Sequence, residues 1–144
     1  MNYHNMLLEE LIKEAAHTDN KLALEIVRHL NDLEEAGAIT GYTPIVNYDR
    51  LGYDVTAILQ LKVEGQGLPD ITETLRSEPQ MVSVYETTGD YDIIAIGKFR
   101  DSDDMNDQIK RILTDTDVQE SNTSVVLNAV SEYEQFSVDD GQDD

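Results

Sequence analysis

The hydrophobic positions form two helical runs near the N-terminus and then change to strand-like segments. Residues 6–16 repeat apolar side chains at helical spacing, and a second run of this kind extends from Leu22 to Leu33. Residues 18–20 favour caps and turns and separate the two runs, while Gly37 is typical of the position just after a helix. The pattern therefore predicts a small helical head.

From residue 53 onwards the pattern predicts an α+β domain. Strands are expected at 55–63 and 123–130, helices at 68–76 and 102–113, and a hairpin at 81–99. The resulting order of strand, helix, strand, strand, helix, strand is the ferredoxin-like βαββαβ order. This order places two helices on one face of a four-stranded antiparallel sheet, so we expect a partner subunit to cover the other face.

The predicted hairpin carries the chain's most focused set of polar groups in its turn, residues 88–92. Gly89 allows the positive φ that tight turns require, and Asp90 and Asp92 flank Tyr91. Such a turn can present carboxylates together with unpaired backbone N–H groups to a small ligand. The alternative interpretation is that both aspartates only cap backbone donors within the hairpin.

Charge and composition narrow the functional class. The chain of 144 residues has no cysteine and a formal net charge of −20, distributed along its length. Absence of cysteine excludes disulfides and thiolate metal sites, and no apolar run is long enough to cross a bilayer. We expect a cytoplasmic protein whose acidic surface is adapted to high salt, the alternative being a merely acidic protein from ordinary salt.

Two separated motifs resemble the Lrp/AsnC family of feast/famine transcription regulators. Residues 33–42, LEEAGAITGY, are similar to the end of the family's recognition helix and the strand that follows, and residues 88–92, TGDYD, are similar to its central hairpin turn. The resemblance implies a helix-turn-helix domain that binds DNA. It also implies a second, ferredoxin-like domain that forms dimers or higher oligomers and binds an amino acid or related metabolite between subunits.

The head departs from the family pattern in length. Family members usually have three helices before the Gly-Tyr strand, whereas only two periodic runs fit into residues 6–36. We therefore expect a shortened helix-turn-helix-like head at 1–44, a linker at 45–52, the ferredoxin-like domain at 53–136 and an acidic tail at 137–144. The short head also allows an alternative function. The chain would not bind DNA and would instead be a ligand-sensing module that assembles with full-length regulators.

Candidate site residues follow from these motifs. On the second predicted helix, DNA contacts are expected from Lys21, Arg28 and His29, with a solvated helix face as the alternative. The resemblance implies effector contacts in the turn and hydroxyl contributions from the last strand, namely from Gly89, Asp90, Tyr91, Asp92, Thr123 and Ser124. No catalytic motif, cofactor or metal site is predicted, so an enzyme is not expected.

Overall fold

The computed structural model describes residues 21–114 and 117–134. These residues form two compact units that divide between Val46 and Asn47. The helix predicted at 6–16, the turn predicted at 18–20 and the acidic tail predicted at 137–144 lie outside the described residues. None of the helices in the described part of the chain is long and apolar enough to span a bilayer.

The described part of the first unit is built around helix α1, Lys21–Glu35. Val27 is buried on the apolar face of this helix, and Ala23, Leu24 and Leu30 pack around it. The helix ends where the sequence predicts, because Gly37 adopts φ +78°. The N–H of Ala38 then donates to the carbonyl of Leu33 at 2.8 Å, and the N–H of Gly37 donates to Glu34 at 3.0 Å, which is the Schellman arrangement.

The part of segment 33–42 that follows α1, which the resemblance places in a strand, contains neither helix nor strand. A strand needs a neighbour to accept and donate its backbone hydrogen bonds, and no described strand pairs with this segment. The strand expected after the first unit's helix is therefore not present in the described part of the head.

The second unit begins with a short 3-10 helix, Tyr48–Leu51, which Gly52 ends at φ +87°. The regular elements that follow are β1 (Val55–Val63), α2 (Leu68–Arg76), β2 (Met81–Glu86), β3 (Ile93–Phe99), α3 (Ser102–Leu113) and β4 (Val118–Val125). The predicted strand at 55–63 and the two predicted helices are confirmed with the same bounds. The hairpin predicted at 81–99 is confirmed as β2 and β3.

The four strands pair in the order β2-β3-β1-β4, and every neighbouring pair is antiparallel. This is the expected ferredoxin-like topology. Alternate residues of β1 and β3 face helices α2 and α3, and the main core lies between these two layers. The fully buried side chains of this core include Leu59, Leu61, Ile71, Leu75, Ile93 and Phe99.

The last strand was predicted at 123–130, and this position is wrong at both ends. Strand β4 spans Val118–Val125 and lies at the edge of the described sheet, where its partner is β1. After Val118 its residues are polar up to Ser124 and the side chains are exposed, so no hydrophobic alternation marks the strand. The apolar residues that suggested a later strand lie beyond it, and Leu127 is 98% exposed.

Candidate functional site

The turn between β2 and β3 is closed by its own backbone and side chains. The N–H of Thr87 donates to the carbonyl of Asp92 at 2.9 Å, and the hydroxyl of Thr87 donates to the carbonyl of Tyr91 at 2.9 Å. Gly89 takes φ +103° at the tip, a conformation that other residues rarely adopt. The closure fixes the shape of residues 88–91, which the turn presents at the surface.

Asp92 has a structural role at the base of this turn. Its carboxylate Oδ2 accepts the backbone N–H of Val63 at 2.8 Å, and its own N–H donates to the carbonyl of Leu61 at 2.8 Å. Val63 lies where the pairing between β1 and β4 shifts register. Such a shift disrupts the regular ladder, and the carboxylate supplies a partner for a backbone donor there. Asp92 therefore caps a backbone donor, which is the role that the alternative interpretation gives it.

The tip of the turn keeps its polar groups available. The side chain of Asp90 is exposed and has no hydrogen bond to any described residue. The backbone N–H groups of residues 88–91 likewise donate to no described backbone carbonyl. Donors that suit a carboxylate and an acceptor that suits an ammonium group are thus presented within one short turn.

A further acidic side chain that the sequence did not indicate lies beside this turn. The hydroxyl of Tyr91 donates to Oε1 of Glu120 on β4, over a long 3.4 Å. Burial of the hydroxyl raises the pKa of Tyr91, and the negative charges of Glu120 and Asp90 raise it further. Only the register of β4 brings Glu120 here, because the strand's polar sequence gives no signal of its pairing.

The two hydroxyl residues predicted on the last strand do not contact the turn in this chain. Thr123 pairs with Leu59 and Ser124 pairs with Ile58. Thr123 is three residues along β4 from Glu120, which corresponds to roughly 10 Å. Consecutive strand residues also point to opposite faces, so Thr123 and Ser124 do not offer their hydroxyls to one ligand on the same face.

The predicted DNA contacts lie on the exposed side of α1. Lys21, Arg28 and His29 are all exposed, and Lys21 and Arg28 share a helix face because they are seven residues, or about two turns, apart. Glu25 and Asp32 follow these two cations by four residues and therefore lie on the same face. The candidate surface thus has alternating charges.

Comparison with known proteins identifies the family. Residues 56–136 match the Lrp/AsnC ligand-binding domain. Over 120 residues the chain is 38% identical to an uncharacterised HTH-type transcriptional regulator of Pyrococcus abyssi, covering 83% of this chain and 82% of the relative.

Two solved structures share the fold at low sequence identity. A transcriptional regulator of Neisseria meningitidis in complex with L-methionine has a TM-score of 0.71 at 18% identity, covering 90% of this chain and 88% of that one. A feast or famine regulatory protein of Mycobacterium tuberculosis complexed with L-methionine has a TM-score of 0.69 at 20% identity, with coverage of 88% and 85%. The domain match, together with the Pyrococcus relative, shows that the chain belongs to the Lrp/AsnC family of transcriptional regulators.

Proposed function

We propose that this chain is an amino-acid-responsive DNA-binding regulator that acts in the cytoplasm as a dimer or higher oligomer. The observation that carries the proposal is the turn of residues 88–91, whose N–H groups donate to no described carbonyl and which exposes the carboxylate of Asp90. A free amino acid has a carboxylate and an ammonium group on one carbon. The turn can bind both groups at once, with no catalytic step.

The effector would place its ammonium group near Asp90 and Glu120 and its carboxylate on the N–H groups of the turn. Gly89 keeps the tip free of a side chain, so a ligand can approach the backbone closely. L-methionine is the ligand named in two solved structures of similar fold, and it is the first probe to use. In this arrangement Tyr91 would contact the ligand, whereas Asp92 would hold the base of the turn. Contacts from Thr123 and Ser124 would come from another subunit.

The oligomer would form through the sheet face that α2 and α3 do not cover. Alternating residues on this face include Ile58, Ile94 and Ile96, which are half-buried, and Tyr85, which is 55% exposed. Burial of these apolar side chains by a second copy would stabilise a two-fold dimer. Such a dimer presents two heads to a pseudo-palindromic DNA site.

DNA binding by α1 would use Lys21, Arg28 and His29. Phosphate neutralisation normally supplies much of the affinity of DNA-binding proteins. With Glu25 and Asp32 on the same face and a net charge of −20, DNA is repelled in dilute buffer. Multimolar salt screens this repulsion. At such salt concentrations we expect DNA recognition to depend on contacts to the bases and on the fit between the protein and the DNA.

The proposal is tested by selecting bound fragments from a genomic library in multimolar potassium chloride, with and without L-methionine and the other amino acids. We expect specific fragments to be enriched and an amino acid to change their affinity. In the variant Asp90→Ala, DNA should still bind while the amino acid loses its effect. Failure to enrich any sequence would refute DNA binding, and an unchanged response of Asp90→Ala would refute the effector site.

A second candidate function is a ligand-sensing module that does not bind DNA and assembles with full-length relatives. The alternating charges of α1 favour it, because Glu25 and Asp32 offset the two cations beside them. Size-exclusion chromatography with light scattering on a mixture with a full-length relative tests this function. A mixed complex would support it, whereas independent elution of both proteins would argue against it.

A further inference from the structure

A cavity of about 220 Å³ opens on the second unit, beside the side chain of Lys98. Its other walls are Tyr48, Leu51 and Tyr53, together with a proline, a glutamine and a valine from the approach to β2 and its first residues. Lys98 pairs with Thr56 near the start of β1, whereas the turn contacts Val63 at the strand's end. Seven residues of strand correspond to roughly 20 Å, so the cavity is separate from the candidate effector site.

Lys98 is the one charged residue that is buried within the described ranges, with 7% of its surface exposed. Burial of an ammonium group is unfavourable unless other groups replace its hydration. The Nζ atom donates to Oγ1 of Thr56 at 2.9 Å and lies 5.6 Å from the centroid of the Tyr48 ring. A hydroxyl and an aromatic face solvate the charge but do not neutralise it.

The carboxylate that faces Lys98 is weakly held. It belongs to Glu132, in the segment after β4 that contains no helix or strand, and its side chain is 43% exposed. The distance from Nζ to Oε2 is 3.6 Å, which is longer than the roughly 2.7–2.9 Å of a charge-assisted hydrogen bond. A carboxylate from a ligand can therefore approach the ammonium group more closely than Glu132 does.

A second cation, Arg100, lies against Tyr53, one of the aromatic side chains of the cavity wall. The guanidinium of Arg100 lies 5.8 Å from the centroid of the Tyr53 ring. The charge of Arg100 is offset by Asp104, which accepts a hydrogen bond from Gln80 of the cavity wall at 3.0 Å, so Lys98 is the charge that the cavity offers to a ligand. None of the described residues that line the cavity is acidic. The cavity therefore suits an anion and, unlike the turn, offers no carboxylate in its walls for an ammonium group.

We propose that this cavity binds a small monocarboxylate with an apolar or aromatic body, and that the ligand's carboxylate replaces Glu132 at Lys98. The aliphatic and tyrosine side chains would pack against the body of the ligand. One buried ammonium group matches one negative charge. The volume lies below the range of roughly 300–1,000 Å³ found for drug-sized ligands, which limits the ligand to a single ring or a short chain.

The test uses benzoate as the probe and benzamide as its neutral counterpart, titrated into the whole protein at one fixed salt concentration. Binding is measured by calorimetry and by two-dimensional amide NMR. Lys98→Met removes the charge with little change in shape, and Lys62→Met removes an exposed lysine of β1 as the matched control. Glu132→Gln removes the competing charge without touching the cavity walls, so it provides a test that does not depend on changing a buried residue.

We expect benzoate to bind the wild-type protein and Lys62→Met equally. Benzamide should bind about tenfold more weakly, because it carries no negative charge to pair with the ammonium group. Lys98→Met should weaken benzoate binding to a similar extent. Glu132→Gln should strengthen it. Equal affinity of benzoate for the wild type and Lys98→Met, absence of benzoate binding to Glu132→Gln, or amide shifts confined to residues 88–91 would each overturn the proposal.

Discussion

Removal of the Asp92 carboxylate should destabilise the second unit, whereas removal of the Asp90 carboxylate, two residues away, should not. The carboxylate of Asp92 accepts the N–H of Val63 at 2.8 Å, and Val63 is itself buried. The carboxylate of Asp90 is exposed and bonds to no described residue. The substitutions Asp92→Ala and Asp90→Ala change the net charge equally, so relief of charge repulsion cannot account for a difference between them.

The expected loss in Asp92→Ala is about 2 kcal/mol, because a hydrogen bond to a charged acceptor disappears and a buried donor is left unpaired. For a domain of this size, that loss lowers Tm by roughly 10 °C. Asp92→Asn keeps an oxygen acceptor without its charge and should lose about half as much. Asp90→Ala should remain within about 0.5 kcal/mol of the wild type.

The assay is urea and thermal unfolding followed by circular dichroism, at one salt concentration for all variants. An unchanged m-value would show that the variants differ in stability and not in the compactness of the unfolded chain. Equal midpoints for Asp92→Ala and Asp90→Ala would refute the structural role of Asp92. We expect the unfolding midpoints of the wild type and Asp90→Ala to be the highest. The midpoint of Asp92→Asn should be lower, and that of Asp92→Ala the lowest.

The remaining predictions concern the core, a helix end and a pH dependence. Leu61→Ala should lower the free energy of unfolding in urea by about 2–5 kcal/mol, because Leu61 is fully buried. Leu127→Ala, at a 98% exposed position, should lower it by less than about 0.5 kcal/mol. Similar midpoints for the two variants would contradict the position of Leu61 in the core. Gly37→Ala should weaken α1 by about 1–2 kcal/mol, because alanine is strained at φ +78°. No described atom lies within 4 Å of the added methyl, so no clash adds to this cost. Faster amide exchange in α1 would support the prediction, and unchanged exchange would contradict it. The hydrogen bond from the backbone N–H of Arg100 lowers the pKa of Asp104, and hydrogen bonds from two glutamine side chains lower it further. The stabilisation by this carboxylate is therefore present above the ordinary aspartate pKa of about 4. It is lost as pH falls through the lowered pKa of the folded state. Asp104→Asn should flatten the acid limb of stability against pH in urea titrations, and an acid limb parallel to that of the wild type would contradict it.

Local pattern was sufficient to predict most of the second unit. Helices α2 and α3 and strand β1 repeat buried positions at fixed spacing, since each places one face against the core, and their bounds were predicted correctly. Strand β4 was misplaced because an edge strand with exposed side chains has no such repeat. The strand that the resemblance places in the second part of segment 33–42 was also not found, since pairing with another segment, and not local propensity, decides whether an extended segment becomes a strand.

The sequence by itself determined the α+β class, the order of the elements, the acidic character and the turn at residues 88–92. Those properties depend on residue type and short-range spacing. Only the tertiary structure assigned different roles to the two aspartates of that turn, brought Glu120 beside Tyr91, and buried Lys98 against Thr56 and Tyr48. These relations join residues that are distant in the chain, and the register of the strands fixes them.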